Sequence, residues 1–147
     1  MVSFSSGPVS WYGGKWEQFV VEELPKWAAE NFNTRLDREG TVMTGISMGG
    51  YGSLKIAFKN PDRFKAIAPM EPAIEPSFKR IEGGKRNTWY RNEDYESLVW
   101  GSPLDEEAWL QDNPATIVSQ NADKIRASDL DIYLEVGDKD YINLHDG

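Results

Sequence analysis

Thr41-Val42-Met43-Thr44-Gly45-Ile46-Ser47-Met48-Gly49-Gly50-Tyr51-Gly52 is the stretch on which the fold turns. Thr41 to Ile46 is short and largely apolar and leads into glycine and serine. From Met48 to Lys59 helical spacing follows through Tyr51, Leu54 and Phe58. The order is strand, sharp turn, helix. A serine in such a turn stands in a strained backbone conformation, so the residues two before and two after it must be small. Gly45 and Gly49 meet that demand, and Gly50 lets the helix lie close on the strand. The Met48 amide, at the helix N-terminus, then points to where an oxyanion would form. Ser47 is therefore the expected nucleophile, with Met48 N–H as an oxyanion donor. Gly-x-Ser-x-Gly arises by chance in roughly one chain in twenty of this length. Its weight here comes from the strand before it, the helix after it and a carboxylate turn following a later strand.

Outward from this centre, strands alternate with helices. From Trp16 to Phe32 the apolar residues Trp16, Phe19, Val20, Leu24, Trp27, Ala28 and Phe32 recur mostly at three and four, which predicts a helix, kinked at Pro25. Residues 1 to 14 read as loop, broken by Gly7-Pro8 and Gly13-Gly14. Asn60-Pro61-Asp62 stops the second helix, and Ala66-Ile67-Ala68 with its neighbours reads as a strand. Glu71 to Ser128 is irregular in pattern, rich in tryptophan and in turn residues. Asp131 to Val136 alternates, with Ile132, Leu134 and Val136 on one face, and runs into Gly137-Asp138-Lys139-Asp140. The fold class expected is α/β with a parallel sheet.

Composition narrows the chemistry. At 147 residues the chain fits one domain, and 24 Asp and Glu against 16 Lys and Arg give a formal net charge of -8, which opposes binding to nucleic acid. There is no cysteine, so thiolate nucleophiles, thiolate metal sites and disulfides are excluded. No apolar run reaches membrane-spanning length and the N-terminus lacks the pattern of a signal peptide, so the expectation is a soluble, cytoplasmic chain. Asp105, Glu106 and Glu107 have neither a partner histidine nor the glycine spacing of a metal loop, and no metal is expected. The basic group Lys79, Arg80, Lys85, Arg86 and Arg91 reads as solvated loop, with reception of an acidic substrate as the alternative. Trp89, Tyr90, Trp100 and Trp109 either line an acyl pocket or fill a small cap.

Gly45-Ile46-Ser47-Met48-Gly49-Gly50-Tyr51-Gly52, preceded by Glu22-Glu23-Leu24 and Leu36-Asp37, resembles the esterase D group of α/β-hydrolases, which includes S-formylglutathione hydrolases, feruloyl esterases and tributyrin-type esterases. The resemblance runs over most of the chain and is most specific from Arg35 to Pro69. It implies a partial α/β-hydrolase fold that hydrolyses a small-molecule carboxylic ester through an acyl-enzyme on Ser47, without a cofactor. It also implies Asp140 as the acid of the triad, with Asp138 as the second choice.

Departures from the group's pattern shape further expectations. The strands that precede the Ser10-Trp11-Tyr12 segment in the group, and the loop that gives the second oxyanion amide, are not evident. The group's histidine lies well beyond the acid. The chain is thus expected to be a single domain over residues 1–147, incomplete at both ends, with residues 71–129 as a cap-like insert. His145, the only histidine, stands five residues after Asp140. A triad histidine normally has its own loop beyond the final strand, so His145 is expected to begin the helix after the acid turn rather than to act as the base, and the chain alone is expected to be weakly active or inactive for want of a base. An acyltransferase, whose acyl-enzyme is resolved by an alcohol or thiol, is the alternative enzyme. A non-catalytic fragment or binding module is the alternative outside enzymes. With flanking strands missing, the Thr41 to Ile46 edge is expected to mediate self-association.

Overall fold

The computed structural model describes residues 10–75, Phe78 and 93–140. Three parallel strands carry the fold, in the order β1 (Val42–Ile46), β2 (Ala66–Met70) and β3 (Asp131–Ile132). Val42 pairs with Ala66 and Ile46 with Met70, so β1 and β2 are in register along their whole length. β3 joins β2 through Ala66 with Asp131 and Ile67 with Ile132. The regular ladder of β3 is shorter than the run Asp131 to Val136 expected from alternation. Beyond Ile132 the chain still follows β2, with Tyr133 N–H donating to Ile67 O at 2.9 Å and Glu135 N–H to Pro69 O at 3.3 Å.

Helix α3 (Met48–Lys59) covers one face of β1 and β2. Every residue from Gly50 to Phe58 in it is buried. Its three glycines, Gly49, Gly50 and Gly52, are weak helix formers, each costing about 1 kcal/mol against alanine, so packing rather than propensity holds the helix. Ile67 and Pro69 point from β2 to the α3 side and are buried. Val42 and Ile46 point to the opposite face and are more than 60% exposed. By register, Tyr133 and Glu135 lie on that same uncovered face.

The N-terminal helix keeps its place but not its regularity. It runs as α1 (Lys15–Gln18), a π-helical turn (Phe19–Glu23) and α2 (Leu24–Asn31). Leu24 N–H donates to Phe19 O, one residue wider than an α-helical bond. The turn immediately precedes Pro25, which has no N–H to donate, and such a wide turn is a usual way for a helix to accommodate that loss. Val20 and Val21 from the turn join Leu54, Ile56, Ala57, Phe58, Phe64 and Ile67 in the main core.

Residues 93–127 correct the expectation of an irregular segment, because they form four short helices: α4 (Glu93–Trp100), α5 (Glu106–Asp112), α6 (Pro114–Gln120) and α7 (Ala122–Ala127). Side-chain caps support two of these short helices, α5 and α6. The Asp105 carboxylate accepts from Glu107 N–H at 2.9 Å and Ala108 N–H at 3.1 Å, and the Asn113 side chain accepts from Ala115 N–H ahead of Pro114 at the first helical turn. Asn121 then donates to Phe58 O at 3.0 Å, satisfying a terminal carbonyl of α3. Ile117 and Ile125 belong to the same buried cluster as α3. No helix among the described residues is long and apolar enough to cross a membrane.

Candidate active site

Ser47 stands between β1 and α3 at φ 55°, ψ -114°, a left-handed conformation that L-residues rarely hold. Sterics on both sides of it explain why the sequence folds this way. A β-carbon on Gly45 would lie 2.5 Å from the carbonyl carbon and oxygen of Gly49, so strand and helix close on one another only with glycine there. At Gly50 a β-carbon would meet Pro72 Cα at 2.9 Å and Met70 O at 3.0 Å, which brings the helix start against the end of β2. Gly49 differs from these, since its own β-carbon would come no nearer than 3.8 Å to Tyr12 Oη. What Gly49 gives is the backbone surface on which Gly45 rests.

The serine backbone is gripped by the segment after β2. Ser47 N–H donates to Met70 O at 3.0 Å, while Ser47 O accepts from Ala73 N–H at 3.2 Å and from Tyr51 N–H at 2.9 Å. Its hydroxyl does not cap its own helix, although serine at this position commonly does so. Ser47 is exposed, so the hydroxyl remains available for chemistry. Met48 is the first helical residue, whose N–H has no acceptor within the helix, and no other backbone bond uses it among the described residues.

Because the three strands are parallel, their carboxyl ends share one edge of the sheet, where functional loops of open α/β sheets lie. Ser47 follows β1, Glu71 follows β2, and the turn from Gly137 to Asp140 follows the β3 segment. Asp140 N–H donates to Gly137 O at 3.0 Å, closing that turn with Asp140 half-buried and Asp138 exposed. Ser47, Met48 and Asp140 are therefore brought to one edge. His145 lies outside the described residues, as do Lys79, Arg80, Lys85, Arg86, Trp89, Tyr90 and Arg91.

Below the elbow, Trp11, Tyr51, Ala73, Trp100 and Trp109 form a second buried cluster. With Glu75 and Glu96 they line a cavity of about 10 Å³, the room of a single water molecule. Tyr51 and Ala73 are the two residues whose N–H groups bind Ser47 O, so this cavity adjoins the backbone of Ser47. The Trp11 indole N–H is buried without a hydrogen-bond partner among the described residues.

A buried charge cluster, which the sequence did not announce, ties α3 to the segments around it. Lys55 is fully buried, with Nζ 2.7 Å from Asp112 Oδ2, 3.5 Å from Glu17 and 2.9 Å from Tyr12 O. Lys59 reaches the same two carboxylates, at 2.9 Å from Asp112 and 3.0 Å from Glu17. Asp112 also accepts from Trp100 Nε1 at 3.1 Å, and its carbonyl accepts from Tyr51 Oη at 2.8 Å. Burial pushes the Lys55 ammonium below its ordinary value, against Asp112, which pulls it back up. Burial would raise the Asp112 carboxyl, but Lys55 and Lys59 together hold it below the ordinary carboxylate value. Lys59 is raised in spite of burial, through Asp112 and Glu17. The one signal in the sequence was a cation set between Leu54 and Ile56 in an otherwise apolar helix.

Tyr12 adds a second tie. Its ring lies on Gly52, where a β-carbon would be 2.3 Å from it, so the strap of residues 10–14 seats directly on α3. Trp11 and Tyr12 hold positive φ values of 46° and 52° to do this.

Comparison with known proteins gives the context of this arrangement. A family model described as "Putative esterase" matches residues 9–146. An S-formylglutathione hydrolase of Arabidopsis thaliana is 32% identical over 95 residues, covering 59% of this chain and 32% of that protein. A diacylglycerol acyltransferase/mycolyltransferase Ag85B of Mycobacterium leprae is 32% identical over 106 residues, covering 68% of this chain and 30% of that protein. Among solved structures, an S-formylglutathione hydrolase from Agrobacterium tumefaciens superposes with a TM-score of 0.57 at 23% identity, over 86% of this chain and 51% of that one, which gives the α/β-hydrolase fold. The chain spans about a third of the length of these two curated relatives.

The charge cluster has a pH signature. Asp112 titrates lower in the folded chain than in the unfolded one, so its contribution is complete above about pH 4, the ordinary aspartate value, and is lost as pH falls through the folded value. Lys59, raised on folding, contributes fully below its ordinary value and loses that contribution only as strongly alkaline pH passes its folded one. Asp112→Asn leaves Lys55 buried without its nearest carboxylate and is expected to cost about 3–5 kcal/mol at neutral pH. Urea unfolding between pH 2 and 8 checks this: the gap between wild type and variant narrows as pH drops below about 4.

Proposed function

The chain belongs to the esterase family matched over residues 9–146, and from that premise we propose that it carries the nucleophile and acid of a serine carboxylic-ester hydrolase. One observation carries the reading: Ser47 is held at φ 55° with its hydroxyl unused for capping, beside a Met48 amide that has no backbone acceptor among the described residues. Ser47 Oγ attacks the ester carbonyl and gives its proton to a base. Met48 N–H stabilises the oxyanion. The C–O bond to the alcohol breaks, the alcohol leaves with the proton, and water then attacks the acyl-enzyme to release the acid and restore Ser47. Asp140, at the same sheet edge, would hold the base in the correct tautomer. The tryptophan-walled cavity has room for one water and not for an acyl group, which would have to lie on the exposed side of Ser47.

Transfer of the acyl group to an alcohol is the second reading, favoured by the acyltransferase among the relatives. An acyl ester formed when an alcohol acceptor is supplied would distinguish it from hydrolysis.

Hydrolysis of a short-chain nitrophenyl ester tests the assignment. Ser47→Ala is expected to reduce turnover to background. Asp140→Asn is expected to lower whatever turnover the chain shows, and Asp138→Asn to lower it far less. Turnover that survives Ser47→Ala would contradict the reading.

β1 is the outer strand in the order β1-β2-β3, and Val42 at 67% and Ile46 at 63% exposed leave its uncovered face bare, which supports association of two copies at β1. Light scattering over a concentration series is expected to show mass rising above that of one chain, and a strictly monomeric protein at all concentrations would contradict it.

A further inference from the structure

Glu71 follows β2 at the sheet edge that bears Ser47, and three observations set it apart. Its backbone is left-handed, at φ 43°, which is unfavourable for a residue with a side chain. It lies inside the segment that grips the serine, between Met70, whose carbonyl accepts from Ser47 N–H, and Ala73, whose N–H donates to Ser47 O. On its other side, Glu71 N–H donates to Glu135 O at 2.7 Å, and Glu71 Oε1 reaches within 3.4 Å of where a β-carbon of Gly137 would stand, at the start of the turn that ends in Asp140. The residue is exposed, and its carboxylate makes no ion pair or side-chain hydrogen bond among the described residues. Held between the nucleophile and the acid turn, this negative charge does nothing for the fold that another side chain would not do. Strained backbone of this kind persists where the surroundings over-determine it, and it gathers at functional sites.

Resting on the ester-hydrolase reading, we infer that Glu71 is a specificity-determining residue that selects substrates by charge, favouring esters with a cationic group close to the scissile bond over esters with an anionic one. The chain's net charge of -8 acts in the same direction at longer range. A carboxylate this exposed acts through water, so the selection is moderate and salt-dependent.

Matched phosphonate probes test the inference on the full chain. Three nitrophenyl phosphonates of equal size, bearing a trimethylammonium, a neutral or a carboxylate group, are reacted with the protein, and labelling at Ser47 is followed by mass spectrometry, each charged rate being divided by the neutral one. The cationic-to-anionic ratio is expected to exceed one, to fall by about two- to fivefold in Glu71→Gln, the size of an exposed charge contact, and to fall further in Glu71→Lys. In 1 M salt the difference between wild type and variants should shrink. A ratio unchanged by both substitutions overturns the inference while leaving the esterase reading intact. Failure of every probe to label Ser47 overturns the esterase reading and this inference with it. Glu71→Gly supplies an independent measurement, because it relieves the left-handed backbone: it is expected to raise Tm by about 2–4 °C. A lower Tm would show that the side chain is kept for stability, and would overturn the assignment.

Discussion

A β-carbon on Gly45 would stand 2.5 Å from the backbone of Gly49, and the clearance left by its absence lets the chain turn from β1 into α3 within one residue. That residue is Ser47. With strand and helix so close, its φ is forced positive, the residue stands exposed, and the amide of Met48 has no backbone acceptor among the described residues. Pro72 against Gly50 and the hydrogen bonds from Met70 and Ala73 lock the same geometry from the side of β2. The site is thus a by-product of how closely a helix can be laid on two strands.

The second constraint lies under α3. Lys55, buried between two carboxylates and the carbonyl of Tyr12, joins the N-terminal helix, the strap, α3 and α5 at one point. Replacing such a cluster by apolar side chains can be neutral, whereas removing one member exposes the full cost of an uncompensated buried charge. Its effect here is one of registration. Asp112 holds Trp100 Nε1 and accepts from the Tyr51 hydroxyl, so the walls of the cavity are fixed by the ions that anchor the helix.

How much of this could be read from sequence depends on the range of the physics involved. The elbow was legible because its demands are local: glycine at 45, 49 and 50, serine at 47, an apolar strand before and a periodic helix after. The placement of Asp140 beyond the last strand was likewise legible from the turn it occupies. Residues 93–127 were not, because their helices are too short to show periodicity and depend on caps by Asp105 and Asn113 and on burial of Ile117 and Ile125. The π turn before Pro25 escaped because hydrophobic spacing does not register a single wide turn. The burial of Lys55 and the strain at Glu71 are tertiary facts. Glu71 does not differ in sequence from an ordinary solvent-facing charge, and Lys55 differs only in standing between Leu54 and Ile56.

The central claim is that backbone geometry makes Ser47 the one reactive nucleophile of this chain. Intact-mass analysis after mixing the protein with a short-chain nitrophenyl ester, followed by peptide mapping, tests it most directly. The account predicts a single acyl adduct located on Ser47 and absent in Ser47→Ala. An adduct on another residue, or none at any time or concentration, would contradict it.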